Sequence, residues 1–212
     1  MKKLISIAIA ASMMLIGSNA FAQISIGAGY VNSNMKSTAG SSVSNLPSNG
    51  FYAGADYLIS EGAGFGVSVG AYYSYLIATS SASTSVFGIN IGASSKVQEM
   101  YLDVPVNFNY SIDLTPSARG FIYAGPAFSF GISSTTEFSG SIGTLGGSTS
   151  KHDNYNDSDY NRFDILLGGG VGVDFNRLRF TVGYNLGMLN RVASDSYTQK
   201  RNVLHAGLAF LF

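Results

Sequence analysis

The sequence predicts an all-β protein, an eight-stranded antiparallel transmembrane β-barrel with up-and-down topology. Three features predict it: segments in which apolar and polar side chains alternate with a period of two, a polar face with few charges, and alternately short and long connections. Charged residues make up 11% of the chain, whereas about 25% is usual in soluble domains. The face opposite the apolar one is rich in Gly, Ser and Asn, so we expect the apolar face to meet lipid.

The first 22 residues are expected to be a secretory signal peptide. Lys2 and Lys3 supply its positive start, residues 4–16 its apolar stretch, and Ala20 and Ala22 the small residues of its cleavage site. The apolar stretch is shorter than the ~20 residues that a spanning helix needs. We therefore divide the chain into a signal peptide, 1–22, and a barrel domain, 23–212.

Eight segments with alternating side chains are the candidate strands. They cover residues 24–33, 50–59, 64–78, 96–111, 120–133, 161–175, 178–190 and 200–212. In the clearest one, apolar side chains occupy every second position from Met100 to Tyr110, and Glu99, Asp103 and Asn107 lie on the other face. An even number of strands is what a bacterial barrel requires. Two of these segments contain Pro105 and Pro126, where we expect β-bulges or lumenal water that satisfies the freed carbonyl groups.

The connections predict the orientation of the barrel. Those at 60–63, 113–119 and 176–177 are short, as periplasmic turns are. The other four connections are long, polar and expected to be extracellular loops. They cover residues 34–49, 79–95, 134–160 and 191–199. Both termini are then expected in the periplasm.

The end of the chain resembles the recognition signal of the outer-membrane barrel assembly machinery, through His205, Gly207, Phe210 and Phe212. The barrel domain is also similar to the small porin-like outer-membrane β-barrels that include PorT-type proteins, and to eight-stranded barrels of the OmpA and OmpX kind. Residues 101–106, 123–126 and 162–172 carry that resemblance. It implies an outer-membrane location and a barrel fold, and it implies no particular activity.

Five charged side chains are expected to point into the barrel and form a lumen charge cluster: Asp56, Asp103, Arg162, Asp164 and Arg179. They could line a selectivity constriction or form a salt-bridged plug. The interior of an eight-stranded barrel is just wide enough to be filled by side chains, which favours the plug.

Other candidate sites have simpler explanations. His152 and His205 could serve a hydrolase at the outer rim, but no Ser/His/Asp set can be assembled around them. Residues 151–159 offer oxygen ligands for Ca²⁺, yet they lack the Gly and the final Glu of an EF-hand loop. The tyrosines of 72–75 are expected in an aromatic girdle rather than a ligand platform. We predict no metal, no cofactor and no enzymatic activity.

The charge balance excludes nucleic acid as a partner. Twelve basic residues less Lys2 and Lys3 leave ten, against twelve acidic ones, a net charge of −2. The chain has no Cys and thus no disulfide. The first functional hypothesis is a structural or surface-interaction barrel; the second is a narrow porin-like channel for small solutes, and the third a rim hydrolase. The expected partners are outer-membrane lipid, the assembly machinery and an unidentified ligand at the loops.

Overall fold

The computed structural model describes residues 23–86, 89–142, 147–156, 160–192 and 197–212. These residues form one antiparallel sheet. Its nine strands are β1 (Gln23–Ala39), β2 (Ser42–Gly62), β3 (Phe65–Val86), β4 (Ile89–Thr115), β5 (Ala118–Ile142), β6 (Gly147–Asp153), β7 (Phe163–Phe175), β8 (Leu178–Gly187) and β9 (Tyr197–Leu211). A 3₁₀ turn, Asn154–Asn156, follows β6. In the part of the chain described, no helix has the length and apolar content to cross a membrane.

Eight of the strands close into a ring. The order β4-β3-β2-β1-β9-β8-β7-β5 returns to its start through the pairing of β4 with β5. The first and last strands pair from Ser25↔Leu211 to Ala39↔Tyr197. The short β6 stays outside the ring and pairs with the far end of β5. Because each ring strand has two neighbours, the backbone groups of the ring are paired on both sides, and the predicted eight-stranded up-and-down barrel is confirmed.

The two ends of the barrel differ. At one end, named the turn end here, two-residue turns join consecutive strands at 63–64, 116–117 and 176–177. The last two lie within the predicted connections 113–119 and 176–177, and the first overlaps the predicted connection 60–63 only at residue 63. Ala63 and Asn176 there have positive φ angles of 52° and 53°, the left-handed conformation that tight hairpin turns require.

The opposite end, the hairpin end, is more regular than predicted. Strands β1 and β2 stay paired as far as Ala39↔Ser42, so most of the predicted loop 34–49 is a hairpin. Likewise β3 and β4 pair as far as Val86↔Ile89, within the predicted loop 79–95. Ser, Thr and Asn predominate on both faces here, although Val43 and Leu46 are exposed apolar side chains, so the alternation that marks a lipid-facing strand disappears while the pairing continues.

The outer surface of the ring is apolar. On β8, for example, Phe180, Val182 and Tyr184 point outward and are 47–51% exposed. Aromatic pairs lie near the turn end, where the rings of Phe65 and Tyr110 are 4.8 Å apart. Of the tyrosines predicted to lie in a girdle, Tyr73 faces outward and is 38% exposed. The girdle prediction is wrong for Tyr72, which points into the lumen and donates a hydrogen bond to Asp56, because neighbouring strand residues face opposite sides.

The bulges expected at Pro105 and Pro126 are absent from the described residues. Pairing of β3 with β4 stops at Val69↔Val106 and resumes at Tyr72↔Asp103 in the same register. Pairing of β4 with β5 is also interrupted around Pro126 without a shift. Proline cannot donate to the ladder, and the barrel accommodates it by losing ladder positions while the flanking pairs hold the register.

The lumen is less polar than the sequence suggested. Six buried side chains form an apolar layer across it: Val31, Leu76, Tyr101, Ala127, Leu166 and Val203. They come from β1, β3, β4, β5, β7 and β9. Side chains thus fill the middle of the barrel, as expected for an interior of this width.

Candidate functional site

A buried arginine spans the centre of the lumen. Arg201 lies on β9 and points inward, four residues before the inward-facing His205, and its exposure is 0%. Its Nη1 donates to Ser129 Oγ at 2.7 Å and its Nη2 lies 3.4 Å from Asp103 Oδ2. The guanidinium carbon is 3.6 Å from the centre of the Tyr101 ring. Asp103 also accepts a hydrogen bond from Ser74, so strands β3, β4, β5 and β9 meet at this ion pair.

A second buried arginine closes the hairpin end. Arg191 follows β8, is 1% exposed, and reaches across the barrel so that its Nη1 lies 3.3 Å from Glu99 Oε1. It also donates hydrogen bonds to the hydroxyls of Tyr101 and Tyr155. Its guanidinium carbon lies 4.9 Å from the centre of the Tyr160 ring.

The electrostatics of this closure favour a charged guanidinium. Burial alone would lower the pKa of Arg191, but Tyr101 and Glu99 beside it raise that pKa well above its usual value. Burial raises the pKa of Tyr155 and of Tyr160, so both phenols stay neutral near pH 7. Arg191 and Glu99 therefore form a desolvated ion pair surrounded by neutral rings.

A third ion pair lies at the turn end. Arg179 of β8 donates from Nε to Asp174 Oδ1 at 2.7 Å and from Nη2 to Asp174 Oδ2 at 2.8 Å. This two-pronged geometry is the strong form of an Arg–carboxylate contact. The guanidinium carbon also lies 4.6 Å from the centre of the Phe121 ring.

The five residues predicted as a lumen charge cluster are distributed along the barrel. Asp56, Asp103, Asp164 and Arg179 do face inward, on β2, β4, β7 and β8. Arg162 is exposed at the hairpin end, where its guanidinium carbon lies 4.4 Å from the centre of the Tyr155 ring. The structure brings Asp103 and Arg179 into ion pairs with other residues rather than with one another.

Sequence reasoning missed the two arginines that close the lumen. The signal for Arg201 was present, because a period of two places it on the same face as His205. Arg191 stood in a predicted loop, and the strand pattern gives no rule for the direction of a loop side chain.

Glycine residues of β8 and β9 make room for tyrosine rings that come from strands two places away in the ring. A Cβ at Gly183 would lie 2.3 Å from the Tyr123 hydroxyl, and one at Gly207 would lie 2.2 Å from the Tyr52 hydroxyl. The Tyr123 hydroxyl is 2.9 Å from Nε2 of His205. These rings border a cavity of about 120 Å³ between the apolar layer and Arg179.

The residues of the expected assembly signal lie on both faces of β9. Phe210 and Phe212 point outward and are 39% and 69% exposed, with ring centres 5.0 Å apart. His205 points into the lumen, and Gly207 underlies the Tyr52 ring. The predicted signal peptide and its cleavage residues Ala20 and Ala22 lie outside the described residues.

The other predicted sites are separated in the structure. His152 lies on β6 opposite Thr136, far along the sheet from the lumenal His205. In the calcium-loop candidate, Asp153 Oδ1 accepts from the Tyr155 backbone N–H, and the Asn154 amide donates to Ser134. Asp157 and Asp159 are outside the described residues. Where the structure does describe the chain, no three or more His, Asp or Glu side chains are grouped to hold a metal ion.

One similar solved structure is that of the attachment invasion locus protein Ail of Yersinia pestis, in complex with the heparin analogue sucrose octasulfate. Its sequence identity to this chain is 14% and the TM-score is 0.44, and the match covers 91% of this chain and 100% of Ail. Neisserial surface protein A is similar at 16% identity and TM-score 0.42, covering 91% and 100%. No curated protein matches. The model of the outer membrane protein beta-barrel domain family matches residues 17–192. The chain belongs to that family and is a β-barrel protein of the cell outer membrane.

Proposed function

We propose that this barrel is a non-conducting outer-membrane protein whose hairpin end faces outward and acts as its interaction surface. The observation that carries the proposal is the buried Arg191, which joins the loop after β8 to Glu99 across the mouth of the lumen. The side chain lies in the path that a solute would have to take.

The Arg201–Asp103 pair, at a different position along the barrel axis, supports the same conclusion. An ion that passed would have to separate two buried ion pairs and cross the apolar layer between the walls. Removing one partner of a buried pair costs about 3–5 kcal/mol because a buried charge is left uncompensated, and separating the two partners would leave two such charges. Continuous conduction is therefore disfavoured, and the porin-like alternative lacks a continuous aqueous path in the described residues.

The hairpin end supports a role in binding. The paired strands β1–β2, β3–β4 and β5–β6 continue beyond the apolar band and hold polar side chains in fixed register. Rigid scaffolds that present variable polar connections are common binding surfaces. We propose that the ligand is recognised at the hairpin end. We also propose that the barrel assembly machinery recognises the end of β9 during biogenesis, through His205, Gly207, Phe210 and Phe212.

The decisive experiment is single-channel recording of the refolded protein in a planar bilayer, after gel heat-modifiability has shown a folded barrel. We expect the wild type to be silent and the double variant Arg191→Ala/Arg201→Ala to conduct. The exposed Arg162→Ala is the matched control and should be silent. Steady ohmic openings of the wild type would refute the closed lumen.

Orientation is tested separately on intact cells. The chain has no Cys, so Ser41→Cys at the hairpin end and Ser117→Cys at the turn end each introduce a single thiol at an exposed position. A membrane-impermeant maleimide should label Ser41→Cys and leave Ser117→Cys unlabelled. The reverse pattern would place the hairpins in the periplasm and overturn the proposed interaction surface.

A further inference from the structure

Asp56 is a lumenal carboxylate with unused bonding capacity. It lies on β2 and lines the cavity of about 120 Å³. One oxygen accepts a hydrogen bond from the Tyr72 hydroxyl. The other, Oδ1, is buried and has no hydrogen-bond partner among the described residues. That oxygen lies beside Gly70 and has no surface open to the cavity, so Asp56 acts on a molecule in the cavity through its charge rather than through a hydrogen bond to Oδ1.

The neighbouring cations already have partners. Arg179 and Asp103 also line the cavity, but Arg179 makes its two-pronged contact with Asp174, and Asp103 pairs with Arg201. Within the described part of the chain, Asp56 has no ion pair. The cavity therefore keeps one carboxylate whose charge is not neutralised by direct contact.

Aromatic rings surround this carboxylate. Tyr52 and Tyr72 meet edge to face with ring centres 5.6 Å apart, and Tyr52 and His205 do so at 6.0 Å. Phe121 and Tyr123 line the same cavity. Ring faces attract cations, and several rings beside a carboxylate are the usual surroundings of a bound alkylammonium group.

We propose that the cavity binds a small organic cation, an alkylammonium group of about five non-hydrogen atoms, with Asp56 as the counter-ion. The size follows from the volume, since an engineered cavity of about 150 Å³ accommodates benzene and this cavity is somewhat smaller. The apolar layer and the two buried arginines separate the cavity from the hairpin end. This site is independent of the interaction surface proposed for the hairpins.

The test is a titration of the refolded full chain in bicelles with tetramethylammonium, followed by NMR of alanine methyl groups. Ala127 and Ala209 line the cavity and Ala39 lies at the hairpin end. We expect the resonances of Ala127 and Ala209 to shift and saturate while that of Ala39 stays fixed. The uncharged tert-butanol, of the same size, should bind at least tenfold more weakly.

Variants assign the effect to the carboxylate. Asp56→Asn should weaken tetramethylammonium binding at least tenfold. Asp164→Asn is the matched control, because Asp164 is also a buried lumenal carboxylate with an unpartnered oxygen but does not line this cavity. A Cβ at residue 70 would lie 2.4 Å from Asp56 Oδ1, so Gly70→Ala should also weaken binding without changing charge.

Several outcomes would overturn the proposal. Equal binding to Asp56→Asn, equal binding of tert-butanol, or no saturable shift in a folded barrel would each do so. Displacement of tetramethylammonium by an equal concentration of sodium would assign the cavity to a metal cation instead. If Asp56→Asn does not fold, undiminished binding to Gly70→Ala would still contradict the proposed site.

Discussion

Replacing Arg201 tests how much the central ion pair contributes to stability. Arg201→Met keeps an unbranched apolar stem and removes the guanidinium of a side chain that is 0% exposed and donates to Ser129 at 2.7 Å. Asp103 would then be an uncompensated buried charge. Losing one partner of a buried pair costs about 3–5 kcal/mol, so the unfolding equilibrium constant should rise at least about 100-fold.

The assay is urea unfolding in phospholipid vesicles, with folded and unfolded protein separated by gel mobility, because the chain has no Trp. The matched control is the double variant Arg201→Met/Asp103→Leu. It removes both charges and should unfold within about 1 kcal/mol of the wild type. A loss below about 1 kcal/mol in Arg201→Met, or equal losses in the single and double variants, would refute the view that an orphaned Asp103 is the cause.

Two further predictions concern the outer face. Phe212→Ser should lower the amount of folded barrel in the outer membrane, measured as heat-modifiable protein in membrane fractions. Leu208→Ser, on the same outward face but outside the assembly signal, should not lower it. Equal losses in the two variants would contradict the assembly signal. Lys36 and Lys200 are directly opposite one another on β1 and β9, so Lys200→Glu should raise stability to urea by about 0.2–1 kcal/mol. Lys96→Glu, placed opposite an acidic residue, should lower it, and the same sign in both variants would rule out a cross-strand charge effect.

The sequence predicted the ring well because the relevant information is local. Alternation with a period of two depends only on neighbouring positions, and each strand crossing the apolar band shows it. The lumenal partners are not local. Arg191 and Glu99 are 92 positions apart, and their meeting depends on how far each strand is staggered against the next. Alternation predicts which face a side chain occupies but not its height in the barrel.

The same limit explains the Asp56 cavity. The period of two predicts that Asp56 points inward. Its lack of an ion pair depends on the positions of Arg179 and Arg201 along the barrel axis, which place them beside Asp174 and Asp103 instead. The hairpins were missed for a different reason. Outside the apolar band both strand faces meet water, so hydrophobic patterning stops before the strands do.

The buried ion pairs also have a consequence for the specificity of the fold. Strand β7 contains the run 168–170 of three glycines, and glycine-rich strands specify their register weakly. A slip of one residue would turn Asp174 away from Arg179 and Asp164 away from the lumen, and would leave buried charges unpaired or facing lipid. The Asp174–Arg179 pair flanks the turn at 176–177 and ties β7 to β8 at the point where their pairing begins. The Asp174–Arg179 pair therefore helps to select one register for β7, whose three consecutive glycines specify it only weakly.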